Sequence, residues 1–178
     1  AALCHRVNEL QQLLENEGIS LTNINCGGGL GVDYIDPDKN PIPNFKDFFA
    51  TYESLLNLLP GQKLHFEFGR AIVAQCGSLI TRVLYIKEGA VKRFAIVDAG
   101  FTDLIRPALY GAQHKIENLS AFFDNRISNI ENRESNIDAT EKYDVVGPIC
   151  ESTDVFAEQI ELPKTTRGDL LASRSAGA

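Results

Sequence analysis

The chain has 178 residues, 44% of them hydrophobic and 23% charged, which suits one or two packed domains and excludes wholesale disorder. Asp and Glu number 24 against 17 Lys and Arg, a net charge of −7, so there is no basic footprint for nucleic acid or an anionic membrane. Four scattered cysteines without a C-x-x-C pair, and three histidines without a partner at i+4, give neither a disulfide framework nor a zinc signature.

In chain order, residues 2–17 carry Leu3, Val7, Leu10, Leu13 and Leu14 at spacings of three and four. That is the stripe of an amphipathic helix, and Gly18 supplies its stop. Residues 21–26 read as a short strand running into Gly27-Gly28-Gly29-Leu30-Gly31. Pro37, Pro41 and Pro43 then mark a turn region. Phe45, Phe48, Phe49, Tyr52, Leu55, Leu56 and Leu59 form a second helical face over 45–59, with Asn44 as N-cap and Pro60-Gly61 as stop. Leu64, Phe66 and Phe68 alternate with His65 and Glu67, as in a strand. Helix, strand, helix, strand predicts an α/β layer with parallel strands.

After Arg70 the pattern changes. Residues 71–74 are a short apolar run, and residues 79–97, turning at Glu88-Gly89-Ala90, read as a hairpin. Residues 143–146, 155–162 and 169–173 read as further strands. Residues 124–142 are polar and read as a surface loop or ribbon tip. A boundary near residue 72 separates an α/β piece, 1–72, from a mainly β piece, 73–178. Two strands and two helices cannot close a barrel, which suggests that the polypeptide lacks its beginning.

Four segments carry candidate chemistry. The glycine run can present backbone N–H groups to an anion such as phosphate, or it is a flexible turn; it matches neither a dinucleotide fingerprint nor a P-loop. Glu67-Phe68-Gly69-Arg70 can hold a cation and an anion side by side, or form a surface ion pair. In the segment from Asp98 to Tyr110, Arg106 can bind a carboxylate and Tyr110 can add a hydroxyl; otherwise the segment is a connector tied down by one Arg. In Gly147-Pro148-Ile149-Cys150-Glu151, Cys150 can move a proton and Glu151 can bind an ammonium group, or the segment is a buried Cys with a capping cluster. Arg167-Gly168-Asp169 and the sequon Asn118-Leu119-Ser120 are short motifs that recur by chance.

Together and in this order, Gly27-Gly28-Gly29-Leu30-Gly31, Val97-Asp98-Ala99-Gly100 with Leu104-Ile105-Arg106-Pro107-Ala108-Leu109-Tyr110, and Val146-Gly147-Pro148-Ile149-Cys150-Glu151-Ser152 resemble the pyridoxal-phosphate decarboxylases of fold type III, the alanine-racemase-like group. The long run ending at Tyr110 favours the diaminopimelate branch of that group, and the resemblance spans nearly the whole chain. It implies an α/β plus all-β architecture. The C-terminal part of a (β/α)8 barrel would occupy residues 1–72, and a β-sandwich or Greek-key-like domain 73–178.

The resemblance also implies pyridoxal 5'-phosphate as cofactor. Gly28 and Gly29 would hold its phosphate. Glu67, Phe68, Gly69 and Arg70 stand at the family's Glu-Pro-Gly-Arg element. There the Glu faces the pyridine nitrogen, the Gly touches the phosphate and the Arg meets the substrate carboxylate, with Phe68 replacing the usual Pro. Arg106 and Tyr110 match substrate-binding positions, Cys150 the proton donor, and Glu151 the residue that holds the distal amino group.

In this family the Cys-Glu pair reaches the neighbouring subunit's site, so a homodimer is implied. The implied reaction turns meso-2,6-diaminopimelate into L-lysine in the cytoplasm, a setting that suits reduced thiols. Relatives acting on ornithine, arginine or carboxynorspermidine, and a non-catalytic regulatory homologue, are the alternatives; so is a β piece that serves alone as an interaction module. The family's cofactor-bearing lysine and stacking histidine precede the matched segments, and a further tyrosine follows them. The resemblance therefore implies a piece cut at both ends and inactive alone.

Overall fold

The computed structural model of the chain describes residues 1–130 and 140–178. Helix α1 (Ala2–Asn16) closes with a Schellman motif: Gly18, at φ 74°, donates to Glu15 O at 2.9 Å and Ile19 donates to Leu14 O at 2.9 Å. No helix among the described residues is long and apolar enough to cross a membrane.

The packed face of α1 is not the leucine stripe. Cys4 and Gln11 are buried and Val7 partly so, while Leu3, Leu10 and Leu13 are exposed. The reason is polar. Strand β1 (Asn23–Asn25) precedes helix α2 (Phe45–Leu55), and the backbone where α2 ends needs partners. Asn8 Nδ2 donates to Leu55 O at 2.9 Å, Asn8 Oδ1 accepts from Asn57 N at 2.9 Å, and Gln11 Nε2 donates to Asn57 O at 3.1 Å. Helix α2 starts as expected, with Asn44 Oδ1 accepting from Asp47 N at 3.0 Å. It ends four residues earlier than its apolar pattern because Leu56 turns extended and inserts its side chain into the core.

Strand β2 (Lys63–His65) pairs parallel with β1 in the register Asn23↔Lys63, Ile24↔Leu64, Asn25↔His65. Ile24 and Leu64 face the core of this unit, with Cys4, Cys26, Tyr52 and Leu56. The opposite face carries exposed Asn23, Asn25 and His65. Above the core, Phe45, Phe48, Phe49, Tyr52, Phe66 and Phe68 interlock, mostly edge to face, at 4.8–6.3 Å.

Helix α3 (Arg70–Val73) and a 3-10 turn (Ala74–Cys76) lead into the second unit. Its strands are β3 (Leu79–Glu88), β4 (Arg93–Val97), β5 (Ile116–Asn118), β6 (Thr140–Val146), β7 (Val155–Pro163) and β8 (Leu170–Ser173). They form one sheet in the order β5-β8-β3-β4-β6-β7, antiparallel except for the parallel pair β4–β6. The edge strands β5 and β7 face each other across a cavity of about 280 Å³ lined by Ile116, Phe156 and Ile160. The sheet is thus nearly closed on itself, in the part of the chain for which the resemblance implies a β-sandwich or Greek-key-like domain. Curling one sheet buries Val83, Val97, Tyr143, Val145, Leu162 and Leu171 in a single core and leaves little open edge.

Two further helices went unforeseen: α4 (Arg106–Tyr110) and α5 (Leu119–Ile130). The polar stretch 124–142 is therefore not all loop, since 124–130 continue α5 and 140–142 belong to β6. Its residues 131–139 lie outside the described residues.

Candidate functional site

The glycine run leaves β1 in a conformation that only glycine adopts easily: Gly27 has φ 67° and Gly29 φ 92°. Asn25 shapes the turn, its Oδ1 accepting from Gly27 N at 2.8 Å. Gly27 O accepts from Glu67 N at 2.8 Å, which joins the run to the end of β2. A Cβ at Gly28 would press into the Glu67 carbonyl, so no side chain fits there, whereas at Gly29 and Gly69 it would meet open space. The N–H groups of Gly28, Gly29 and Gly69 donate to no acceptor among the described residues. Beside them Glu67 is exposed and accepts from Asn25 Nδ2 at 2.6 Å. Arg70 is exposed and pairs with no carboxylate among the described residues.

Gly28, Gly29, Glu67, Gly69 and Arg70 thus meet at one end of the two-stranded sheet. Unpaired backbone N–H groups around an opening are a phosphate donor set, and a carboxylate close by suits a protonated ring nitrogen, so these residues fit pyridoxal phosphate. Phe68, which the resemblance places among the cofactor contacts, packs its ring on Phe45 at 5.3 Å and Phe48 at 5.4 Å, which anchors the loop.

A second group forms where the segment after the glycine run crosses onto the β unit. Arg106, half buried at the start of α4, lies 5.5 Å from the Tyr34 ring and 5.2 Å from the Tyr110 ring. Its Nε is buried without a partner, and it has no ion pair among the described residues. Tyr34 packs edge-on against His114 with centroids 4.8 Å apart. His114 Nδ1 lies 2.9 Å from Arg174 O, so that nitrogen carries the proton and Nε2 is a buried acceptor without a partner. Burial pushes the His114 pKa down, the Arg174 carbonyl pulls it up, and the Arg106 charge lowers it further. Nothing in the periodicity singled out Tyr34; its place three residues after Gly31 was the only available hint.

The third group is the turn between β6 and β7. Asp154 is buried and organises it, Oδ1 accepting from Phe101 N at 2.6 Å and Oδ2 from Ile149 N at 2.8 Å. The turn is thereby fixed to the loop at Gly100, which the Ile149 side chain covers. Cys150 and Glu151 are exposed at its tip. Glu151 accepts from Ser152 Oγ at 3.1 Å and Thr153 N at 3.3 Å, and these bonds hold its carboxyl below the usual range. Neither residue bonds to the first two groups. Asp98, at the head of its motif, is structural: it ties β4 to β3 by accepting from Thr81 Oγ1 at 2.5 Å and Arg82 N at 2.8 Å.

The two incidental motifs are structural too. Asn118 is buried, with Nδ2 donating to Thr165 Oγ1 at 3.1 Å and Asp169 Oδ2 at 3.0 Å. Asp169 also accepts from Thr166 N at 2.9 Å. No group of His, Cys, Asp and Glu among the described residues could hold a metal ion. A cavity of about 490 Å³ in the β unit, lined by Tyr85, Arg93, Tyr143 and Arg167 among others, contains none of the candidate residues.

Residues 19–177 match the family described as pyridoxal-dependent decarboxylase, C-terminal sheet domain. The chain is 56% identical over 177 residues to a diaminopimelate decarboxylase of Bacteroides thetaiotaomicron, covering 99% of this chain and 42% of that protein. It is 38% identical over 185 residues to one of Archaeoglobus fulgidus, covering 98% of this chain and 39% of that protein. The crystal structure of diaminopimelate decarboxylase from Helicobacter pylori complexed with L-lysine superposes with a TM-score of 0.74 at 36% identity, covering 97% of this chain and 38% of that one. A lysine/ornithine decarboxylase from Vibrio vulnificus complexed with cadaverine superposes with a TM-score of 0.71 at 23% identity, a likeness of fold alone. The chain spans about two-fifths of the length of the relatives it matches.

Proposed function

The chain belongs to the pyridoxal-dependent decarboxylase family, and from that membership we propose that the protein carrying it converts meso-2,6-diaminopimelate to L-lysine and carbon dioxide. The observation that carries this reading is Arg106, a half-buried guanidinium with a buried unpaired Nε and no ion pair among the described residues. A charge left so needs an anion from outside the described residues, and a substrate carboxylate supplies one.

In this reading the N–H groups of Gly28, Gly29 and Gly69 bind the cofactor phosphate, and Glu67 keeps the ring nitrogen protonated. When bound, pyridoxal phosphate supplies the sink for the electron pair left as carbon dioxide departs. Arg70 and Arg106 take substrate carboxylates, with Tyr110 beside them. Cys150, exposed on its turn, gives its thiol proton to the carbon that lost the carboxylate, and Glu151 holds the distal ammonium. Both act in the site of a second copy of the chain, which fits their lack of bonds to the first two groups of their own chain. The homodimer follows from that arrangement.

Two separate hydrophobic cores support a division near residue 72, with a barrel portion before it and the sheet domain after it. Four free thiols suit a reducing compartment such as the cytoplasm.

The test is an assay of the protein at its full natural length, loaded with cofactor, on meso-2,6-diaminopimelate, ornithine and arginine. L-Lysine should form from the first and no diamine or agmatine from the others, and Arg106→Gln should lower kcat/KM by about 100-fold, the scale of one charge-assisted bond pair. A diamine from ornithine without lysine from diaminopimelate would replace the substrate. No product from any of them would make the protein a binding homologue.

A further inference from the structure

We propose that Tyr34 is a positioning residue for Arg106, setting the guanidinium by its ring so that it receives a carboxylate; this rests on the assignment of Arg106 to the substrate. No hydrogen bond or ion pair among the described residues fixes the Arg106 head group, and its Nε is buried without an acceptor. Two tyrosine rings are what lie against it, at 5.5 and 5.2 Å. Tyr110 is 68% exposed at the end of a five-residue helix, a weak support.

Tyr34 is anchored on several sides. Its carbonyl accepts from Lys115 N at 2.9 Å, and its ring abuts buried His114. Its loop is held by Asp33, which accepts from Ile35 N at 3.0 Å, Asp36 N at 2.8 Å and Asn40 Nδ2 at 2.8 Å.

The choice of an aromatic face has a physical consequence. An acid in that place would orient Arg106 but cancel its charge and compete with the incoming carboxylate. A ring face orients the cation and leaves its charge available. Tyr34 also lies three residues after the glycine run, so one loop sets the spacing between the phosphate cradle and the carboxylate-binding arginine. The ring holds the guanidinium and the hydroxyl does not, since Tyr34 Oη makes no hydrogen bond to Arg106 or to any other group among the described residues.

The experiment uses calorimetric titration of the full-length, cofactor-loaded protein with L-lysine, which keeps a carboxylate, and with cadaverine, which lacks one. Tyr34→Leu should weaken L-lysine binding about fivefold to tenfold, the range for a partly desolvated cation–ring contact, and leave cadaverine within twofold. Tyr34→Phe should bind L-lysine like the parent. Tyr34→Met, also lacking a π face, replaces Leu if that variant melts early. Unchanged L-lysine affinity in the ring-deleted variant overturns the inference, and so does an equal loss for both ligands, which would mark a scaffold role only. If Arg106→Gln weakens L-lysine while Tyr34→Leu does not, the positioning role fails and the substrate reading stands. If Arg106→Gln changes neither ligand, the carboxylate assignment fails and the positioning role with it.

Discussion

At the residue scale, His114 shows how a neighbour's charge and burial become a measurable property. It is 6% exposed, and both its burial and the Arg106 charge disfavour the imidazolium. Its pKa in the folded protein therefore lies below the ordinary value of 6.5, and on acidification the unfolded chain binds the proton first. The stability His114 contributes is present above about pH 6.5 and is lost as the pH falls below it. Urea midpoints measured from pH 7.5 to 5.5 should fall, and His114→Asn, which keeps a donor for the Arg174 carbonyl, should flatten that fall. An equal slope in the variant would place the sensitivity elsewhere.

The residues proposed for the site from the sequence, Gly28, Glu67, Arg70, Arg106 and Cys150, are of types whose chemistry shows in a short segment. Tyr34 and His114 act through ring faces and burial, which leave no spacing pattern. The packing of the Phe68 ring on Phe45 and Phe48 was not legible either, because adjacency to Glu67 and Gly69 says nothing about which way a ring turns.

At the element scale, the turn between β6 and β7 depends on one carboxylate. Asp154 is 2% exposed and satisfies the N–H groups of Phe101 and Ile149. Removing it leaves two part-buried donors without that acceptor, and Asp154→Ala should cost about 1–3 kcal/mol in chemical denaturation. Asp154→Asn keeps one acceptor oxygen and should lose less. If both variants unfold like the parent, another group holds the turn that carries Cys150.

Elements with a strong period and recognisable ends, α1, α2 and the β3–β4 hairpin, were legible in the sequence. The face that α1 buries was not, because Asn8 and Gln11 win by pairing with backbone groups at the end of α2. The short α4 and β5 have too few residues to show a period, and α5 straddles the change at residue 124 from an apolar start to a polar stretch.

At the scale of the whole molecule, two cores are joined by the loop that carries Tyr34. Asp38 in that loop meets Lys115 Nζ at 2.7 Å and Arg174 at 3.1 Å, and Gln75 Nε2 donates to Asn40 O at 2.8 Å. The cysteines report on this packing. Cys4 and Cys26 are 1% and 8% exposed in the α/β core, and burial, then Cys4, pushes the Cys26 thiol pKa up. Cys76 is exposed in the segment between the units. Alkylation of the folded protein followed by peptide mapping should modify Cys76 and spare Cys4 and Cys26 until denaturant is added. Early modification of Cys26 would mean that this core opens easily.

The sequence by itself determined most of the regular elements and, through its motifs, the membership of the pyridoxal-dependent decarboxylase family. Each of these rests on local periodicity or on a residue type with little other use. Only the tertiary structure decided that six strands curl into one nearly closed sheet, that Gly28 meets the Glu67 carbonyl, and that Arg106 lies beside Tyr34. Those outcomes depend on contacts between segments far apart in the chain, where sheet register, side-chain direction and the pairing of buried polar groups choose among arrangements that the local pattern leaves equivalent.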